Sequence, residues 1–250
     1  MIFNFASYTD IGQVRENNED CHIVIPFEEH NEFAAAVADG MGGHLFGEIA
    51  SKTAIDCFEK KIRDRRFKNC NNIKDYLLNI CKTANKDILE FSKKYNVFSG
   101  MGTTLDAIYI KDERLHVIHI GDSRIYSINE NEIKAITKDH SYVQQLLDKG
   151  DITIDEYKNH PNKNVITKAL GIADIPEPDI FDITLDSCGY LLICTDGLTN
   201  MLDDNTILNI INQETDLEEK TKELAKKANE NGGTDNITII LIKADMKLEE

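Results

Sequence analysis

Short apolar runs rich in β-branched residues alternate along this chain with longer stretches in which apolar residues recur every three or four positions. The runs at 22–25, 33–38, 104–110, 114–120, 124–128, 132–136, 180–185, 189–194 and 237–242 predict strands. Only KDE (111–113), GDS (121–123) and NEN (129–131) separate the central runs, which predicts an antiparallel meander and disfavours a doubly wound parallel sheet. Helical spacing between Gly47 and Arg66, and again between Ile73 and Tyr95, predicts two long amphipathic helices. Ile207, Leu208 and Ile211 mark a third, with Asp203 and Asp204 at its start where negative charge suits the helix dipole. Leu217, Thr221, Leu224 and Ala228 mark a fourth.

Strands, a helix pair, many strands, a second helix pair and a last strand suit an α+β sandwich of antiparallel sheets with helices outside. At 250 residues, length alone admits one domain or two. There is no internal repeat, low-complexity tract or Pro/Gly/Ser linker, so one domain over 1–245 with a short tail at 246–250 suffices. Residues 137–179 stand apart. SYVQQLLDKG has the pattern of a short helix, but DITIDEYKNHPNKNV is polar with little periodicity, and the expectation is an irregular excursion beside a binding edge.

The 28 Lys+Arg against 44 Asp+Glu give a net charge of -16, which argues against a nucleic-acid partner or an anionic membrane surface. No basic stretch leads into an apolar run at the N-terminus, and no apolar stretch approaches the roughly 18 residues needed to cross a bilayer. The expectation is a soluble cytoplasmic protein. Cysteines 21, 57, 70, 81, 188 and 194 show no CxxC spacing, so reduced thiols are the simpler reading.

The acidic residues are not scattered evenly. Three apolar runs end in aspartate beside glycine, at Asp39-Gly40, Gly121-Asp122 and Asp196-Gly197, and Asp20 and Asp235 stand just before two others. Neighbouring antiparallel strands begin and end side by side, so all five carboxylates can project from one sheet edge. Carboxylates packed together repel unless a cation sits among them, and oxygen donors without His or Cys favour Mg²⁺ or Mn²⁺ over zinc or copper. Two ions bridged by one aspartate would acidify a bound water and clamp a phosphoryl oxygen. Any one Asp-Gly taken alone reads better as a turn; the weight lies in their number. Arg15 is by default a surface side chain, although its planar fork suits a phosphate.

Other chemistries find no support. The spacing of a cysteine phosphatase occurs only at CFEKKIR (57–63), which is helical and lacks glycine. No GxxxxGK[ST] nucleotide loop or GxSxG nucleophile elbow is present, and GMGGHLFG at 40–47 does not match the dinucleotide fingerprint.

RENNED at 15–20, VADGMGGH at 37–44, GMGTTL at 100–105, GDSR at 121–124, TKDHSYVQQLLDKGDIT at 137–153, TKALG at 167–171, CTDGL at 194–198 and GGTDNIT at 232–238 occur in an order that resembles the metal-dependent Ser/Thr protein phosphatases of type 2C, in particular their short bacterial members. The resemblance covers the chain almost end to end. It implies an α/β/β/α four-layer sandwich, two central antiparallel β-sheets flanked by helices, and hydrolysis of phosphoserine and phosphothreonine by a water or hydroxide bridging two Mn²⁺ or Mg²⁺ ions.

It also implies roles. Asp39 bridges the ions, the Gly40 carbonyl and the Asp20 region serve one, and Asp196 and Asp235 serve the other. Glu19 helps order metal-bound water, Asp122 holds a third, weaker metal, Arg15 grips the substrate phosphate, and 137–179 contains the flap over the site. Catalysis then rests on Asp39, Asp20 and Arg15. Phosphoproteins that are targets of a Ser/Thr kinase, and the kinase itself, are the implied partners, and a monomer is the implied state. One departure concerns the general acid: many eukaryotic members have histidine after the Asp-Gly pair, where this chain has Met41, which has no proton to give. His44 and His140 lie in the motifs, and each reads better as structural. A non-catalytic regulatory module of the same fold would have lost metal aspartates, and all are present here. A two-metal phosphodiesterase or small-molecule phosphatase is compatible with the residues of the site.

Overall fold

The computed structural model describes all residues except 1, 28–31, 43–44, 65–71, 98–99, 112, 173–177, 186–188 and 246–250. The elements run β1 (Ile2–Asp10), β2 (Asp20–Phe27), β3 (Glu32–Met41), α1 (Leu45–Asp64), α2 (Ile73–Lys94), β4 (Gly102–Thr103), β5 (Leu105–Lys111), β6 (Arg114–Ile120), β7 (Arg124–Ile128), β8 (Ile133–Ala135), α3 (Tyr142–Lys149), α4 (Ile154–Lys158), β9 (Asp179–Thr184), β10 (Tyr190–Cys194), α5 (Asp196–Thr199), α6 (Asp204–Ile211), α7 (Leu217–Glu230) and β11 (Ile237–Asp245). They form two antiparallel sheets, ordered β1-β11-β10-β7-β8 and β2-β3-β5-β6-β9, with β4 paired to β3.

Why the strands read as unbroken apolar runs follows from burial on both faces. In β3, Ala34, Ala36 and Ala38 pack under α1 and α2. Phe33, Ala35 and Val37 point the other way into the space between the sheets. In β11, Ile237, Ile239 and Leu241 pack beneath α6 and α7, while Ile240 and Ile242 face the intersheet core. Period-two alternation therefore divides each run between two apolar layers instead of between core and water. The three cores make the expected four-layer sandwich of two antiparallel sheets with helices on both outer faces.

The central meander differs from expectation. β5 and β6 pair in one sheet and β7 and β8 in the other. GDS at 121–123 is thus a crossover between sheets, not a hairpin turn. β1 was absent from the expected strands because it is an edge strand with Ala6 as its single fully buried residue. The 137–179 stretch is more regular than its composition predicts. Ser141 caps α3, and Thr153 and Glu156 form a reciprocal capping box on α4. Among the described residues, no helix is long and apolar enough to cross a membrane.

Candidate active site

The five aspartates meet at one end of the sandwich, although not along the edge of a single sheet as the strand pattern suggests. Asp20 and Asp39 are register partners across β2 and β3. Asp196 follows β10 and Asp235 precedes β11, neighbours in the opposite sheet. Asp122 sits in the crossover that joins the two. Antiparallel pairing brings together the end of one strand and the start of the next within each sheet, and the crossover closes the gap between sheets.

Backbone contacts fix this convergence. Asp39 donates its N–H to Thr104 Oγ1 at 2.8 Å, and its carbonyl accepts from Thr103 Oγ1 and from the Thr104 N–H, both at 2.9 Å. Thr104 Oγ1 also lies 3.0 Å from Ser123 Oγ, next to Asp122. A Cβ at Gly40 would collide with the Gly47 carbonyl and stand 2.6 Å from that of Glu19, so close chain approach requires glycine here. Asp20 Oδ2 accepts from Thr195 Oγ1 at 2.8 Å, which ties the two sheets together immediately beside Asp196.

Arg15, Glu19, Asp39, Gly40, Asp122, Asp196 and Asp235 line a cavity of about 540 Å³, together with Met41 and, from the 137–179 stretch, Asn164 and Ile166. Asp20 lies behind this lining. A second cavity of about 550 Å³ shares Asp122 and Asp196 and is lined from the 137–179 stretch by Tyr157, Lys158 and Lys163. Arg15 reaches in from the β1–β2 loop, with Nη2 2.7 Å from Asp235 Oδ2. Burial alone would lower its pKa, but Asp235, Asp39 and Glu19 outweigh that and raise it.

Asp20, Asp122 and Asp196 each keep one buried carboxylate oxygen without a hydrogen-bond donor. Burial pushes Asp20 up to about 7, with Asp196 and Asp235 adding repulsion. It pushes Asp196 to about 6, with Asp235 adding repulsion. Asp39 is raised further by burial and by the charges of Asp20, Asp196 and Asp122, and Asp122 by burial and Asp196. Hard oxygen donors, unpaired and mutually repelling around a cavity, fit divalent cations. Among the described residues no three His, Cys, Asp or Glu side chains converge tightly enough to hold an ion alone. Backbone carbonyl and water would complete the coordination, as hard ions accept.

A family model described as protein phosphatase 2C matches residues 13–241. The chain belongs to the protein phosphatase 2C family. It is by that membership an enzyme, a protein phosphatase. Similar proteins include the serine/threonine phosphatase stp of Listeria monocytogenes serotype 4b, 35% identical over 239 residues that cover 95% of this chain and 94% of the relative. The serine/threonine phosphatase of S. agalactiae has a similar structure, with a TM-score of 0.88 at 35% identity over 98% of this chain and 100% of that one. The catalytic domain of the serine/threonine phosphatase PstP, solved with two manganese ions, superposes with a TM-score of 0.83 at 33% identity over 96% of this chain and 97% of that one.

Within this type 2C fold, His140 does not reach the cavity. Its Nδ1 accepts from the Gly121 N–H at 3.2 Å and its Nε2 faces Lys168 and Asp179, so it clips the flap root to the crossover, the structural role expected of it. His44 lies outside the described residues. Thr104, Ser123, Thr195 and Asn236 support the site and were not singled out from sequence. All four lie inside the quoted motifs GMGTTL, GDSR, CTDGL and GGTDNIT. Their signal was position within a motif, because an uncharged side chain draws no attention by chemistry alone.

Proposed function

We propose that the protein hydrolyses phosphoserine and phosphothreonine in proteins by direct attack of water, without a phosphoenzyme. The observation that carries this reading is the ring of buried, mutually repelling carboxylates around a cavity with one arginine at its mouth. Asp39 would lie between two Mn²⁺ or Mg²⁺ ions. The Gly40 carbonyl and Asp20 would serve one ion, with Glu19 acting through water, and Asp196 and Asp235 would serve the other. Asp122 would hold a third. Bound there, the ions supply an acidified water and positive charge for the phosphoryl oxygens.

The chain's own residues do the rest. Thr103 and Thr104 hold the Asp39 backbone, so its carboxylate does not reorganise during the reaction. Arg15 exchanges Asp235 for the phosphate and presents two parallel N–H donors to it. Met41 at the cavity wall has no proton to give, so the leaving alkoxide takes its proton from water in the cavity. Asn164 and Ile166 close one side from the flap at 137–179. Residues 1–245 act as one catalytic unit; the tail at 246–250 lies outside the described residues. The protein acts as a cytoplasmic monomer on targets of a Ser/Thr kinase, and on the kinase itself. Its net charge of -16 disfavours nucleic acid and anionic membranes as partners.

Purified protein is expected to release phosphate from a phosphothreonine peptide with Mn²⁺, and to lose that activity in EDTA and in Asp39→Ala. Turnover that persists without metal overturns the reading. Hydrolysis confined to small phosphate esters or diesters would reassign the substrate.

A further inference from the structure

The β1–β2 loop carries Arg15 to the cavity yet buries almost nothing of its own, since residues 13–17 are all exposed. A loop with so few apolar contacts opens readily, whereas a guanidinium that receives a phosphate must be held in place. The ion pair to Asp235 does not do this. It is solvent-exposed on the arginine side, at 48%, and such pairs contribute little. In the proposed reaction it also breaks when phosphate arrives.

Asn236 grips the loop independently of Arg15. Its side chain is 4% exposed, and it makes three hydrogen bonds, all to backbone between residues 11 and 19. Oδ1 accepts from the Glu19 N–H at 2.8 Å. Nδ2 donates to the carbonyls of Ile11 and Asn17, both at 2.9 Å. One amide therefore spans both ends of the segment that presents Arg15. The Asn236 N–H donates to Asp235 Oδ1 at 2.9 Å, and its carbonyl packs against Gly197, where a Cβ would collide with it. A single residue thus sets the loop, Asp235 and the start of α5 in register.

No other side chain reproduces this pattern. Aspartate keeps the acceptor for Glu19 but turns an acceptor toward two carbonyls, and alanine removes all three bonds to the loop backbone. We propose that Asn236 is a positioning residue for phosphate capture, acting through the backbone of the loop on Arg15. The proposal rests on Arg15 gripping the substrate phosphate.

A double-mutant cycle tests it, with Arg15→Ala, Asn236→Ala and the double variant assayed on a phosphothreonine peptide with Mn²⁺. Asn236→Ala is expected to lower kcat/KM by about ten- to a hundredfold, mostly through KM, and to weaken inhibition by inorganic phosphate. In the Arg15→Ala background the same change is expected to cost less than about threefold, because its target is gone. Hydrogen exchange across 11–19 should quicken in Asn236→Ala while exchange in β3 and β10 stays slow. Asn236→Asp, which keeps the Glu19 bond, carries the same cycle if the alanine variant does not fold. Equal losses in both backgrounds, or unchanged kcat/KM and phosphate inhibition in the single variant, overturn the positioning role alone. An Arg15→Ala variant with undiminished kcat/KM overturns the phosphate-grip reading and this inference with it.

Discussion

Two groups of buried carboxylates lie within one end of this molecule, and they are completed differently. At the flap root, Asp139 receives Arg124 in a bidentate pair, with Nε and Nη2 each 2.7 Å from its two oxygens, and the Tyr157 hydroxyl adds a third bond at 3.0 Å. Beside it, Asp106 gives one oxygen to His119 Nδ1 at 2.8 Å, and His119 Nε2 reaches the Lys138 carbonyl at the same distance. The chain supplies the cations there. Around the cavity, Asp20, Asp39, Asp122 and Asp196 face one another, and Arg15 at the rim reaches only Asp235 with a hydrogen bond. Asp139 is completed by folding and ties the 137–179 stretch to the crossover. Asp106, although it keeps one oxygen without a donor, has His119 against the other. Among the described residues, the cavity group has no such partner within the chain for Asp39, Asp122 and Asp196 and fits charge from outside.

Removing a carboxylate should therefore have opposite effects in the two places. Asp139→Ala leaves Arg124 half-buried without its partner and is expected to destabilise the protein by about 3 kcal/mol. Asp39→Asn removes a repelled charge and is expected to stabilise the metal-free protein by about 1 kcal/mol or more while activity is lost. Denaturant unfolding in EDTA reads both. Destabilisation of similar size in the two variants would erase the distinction between the regions.

Proton linkage gives a smaller effect with a definite sign. Asp20 is lifted to about 7 and Asp196 to about 6 by burial. The metal-free fold thus holds protons that the unfolded chain releases near pH 4, and these groups cost stability as pH rises from about 4 to 7. His140 is pulled down to about 4 by burial, His119 and Lys168 and works in the opposite direction. The useful quantity is accordingly the difference in Tm with and without Mn²⁺, in which groups that do not bind the ion cancel. That difference is expected to grow from pH 5 to 7.5, because ions displace protons from the same oxygens. A difference independent of pH would mean that the ions bind elsewhere.

The same contrast explains what could be read in the sequence. Strands buried on both faces, such as FAAAVA and ITIILI, declare themselves as apolar runs, and the aspartates at their ends were visible for the same reason. β1 was missed because an edge strand with mixed exposure lacks that signal. The crossover at 121–123 looked like a turn because a change of sheet leaves no local mark; only pairing across the fold reveals it. In the 137–179 stretch α3 was legible from SYVQQLLDKG, whereas α4 was hidden because its order comes from a capping box and not from an apolar stripe. Asn236 and Thr104 escaped notice because they act through backbone groups distant in sequence.

The most direct test of the account is calorimetric titration of Mn²⁺ into metal-free protein at pH 6, repeated in two buffers of different ionisation enthalpy. The account predicts two ions bound per chain at the tighter sites, about one or more protons released on binding, and loss of that binding in Asp39→Asn but not in Asp139→Asn. Binding that releases no protons, or that survives Asp39→Asn unchanged, would contradict the claim that these carboxylates are completed by external cations.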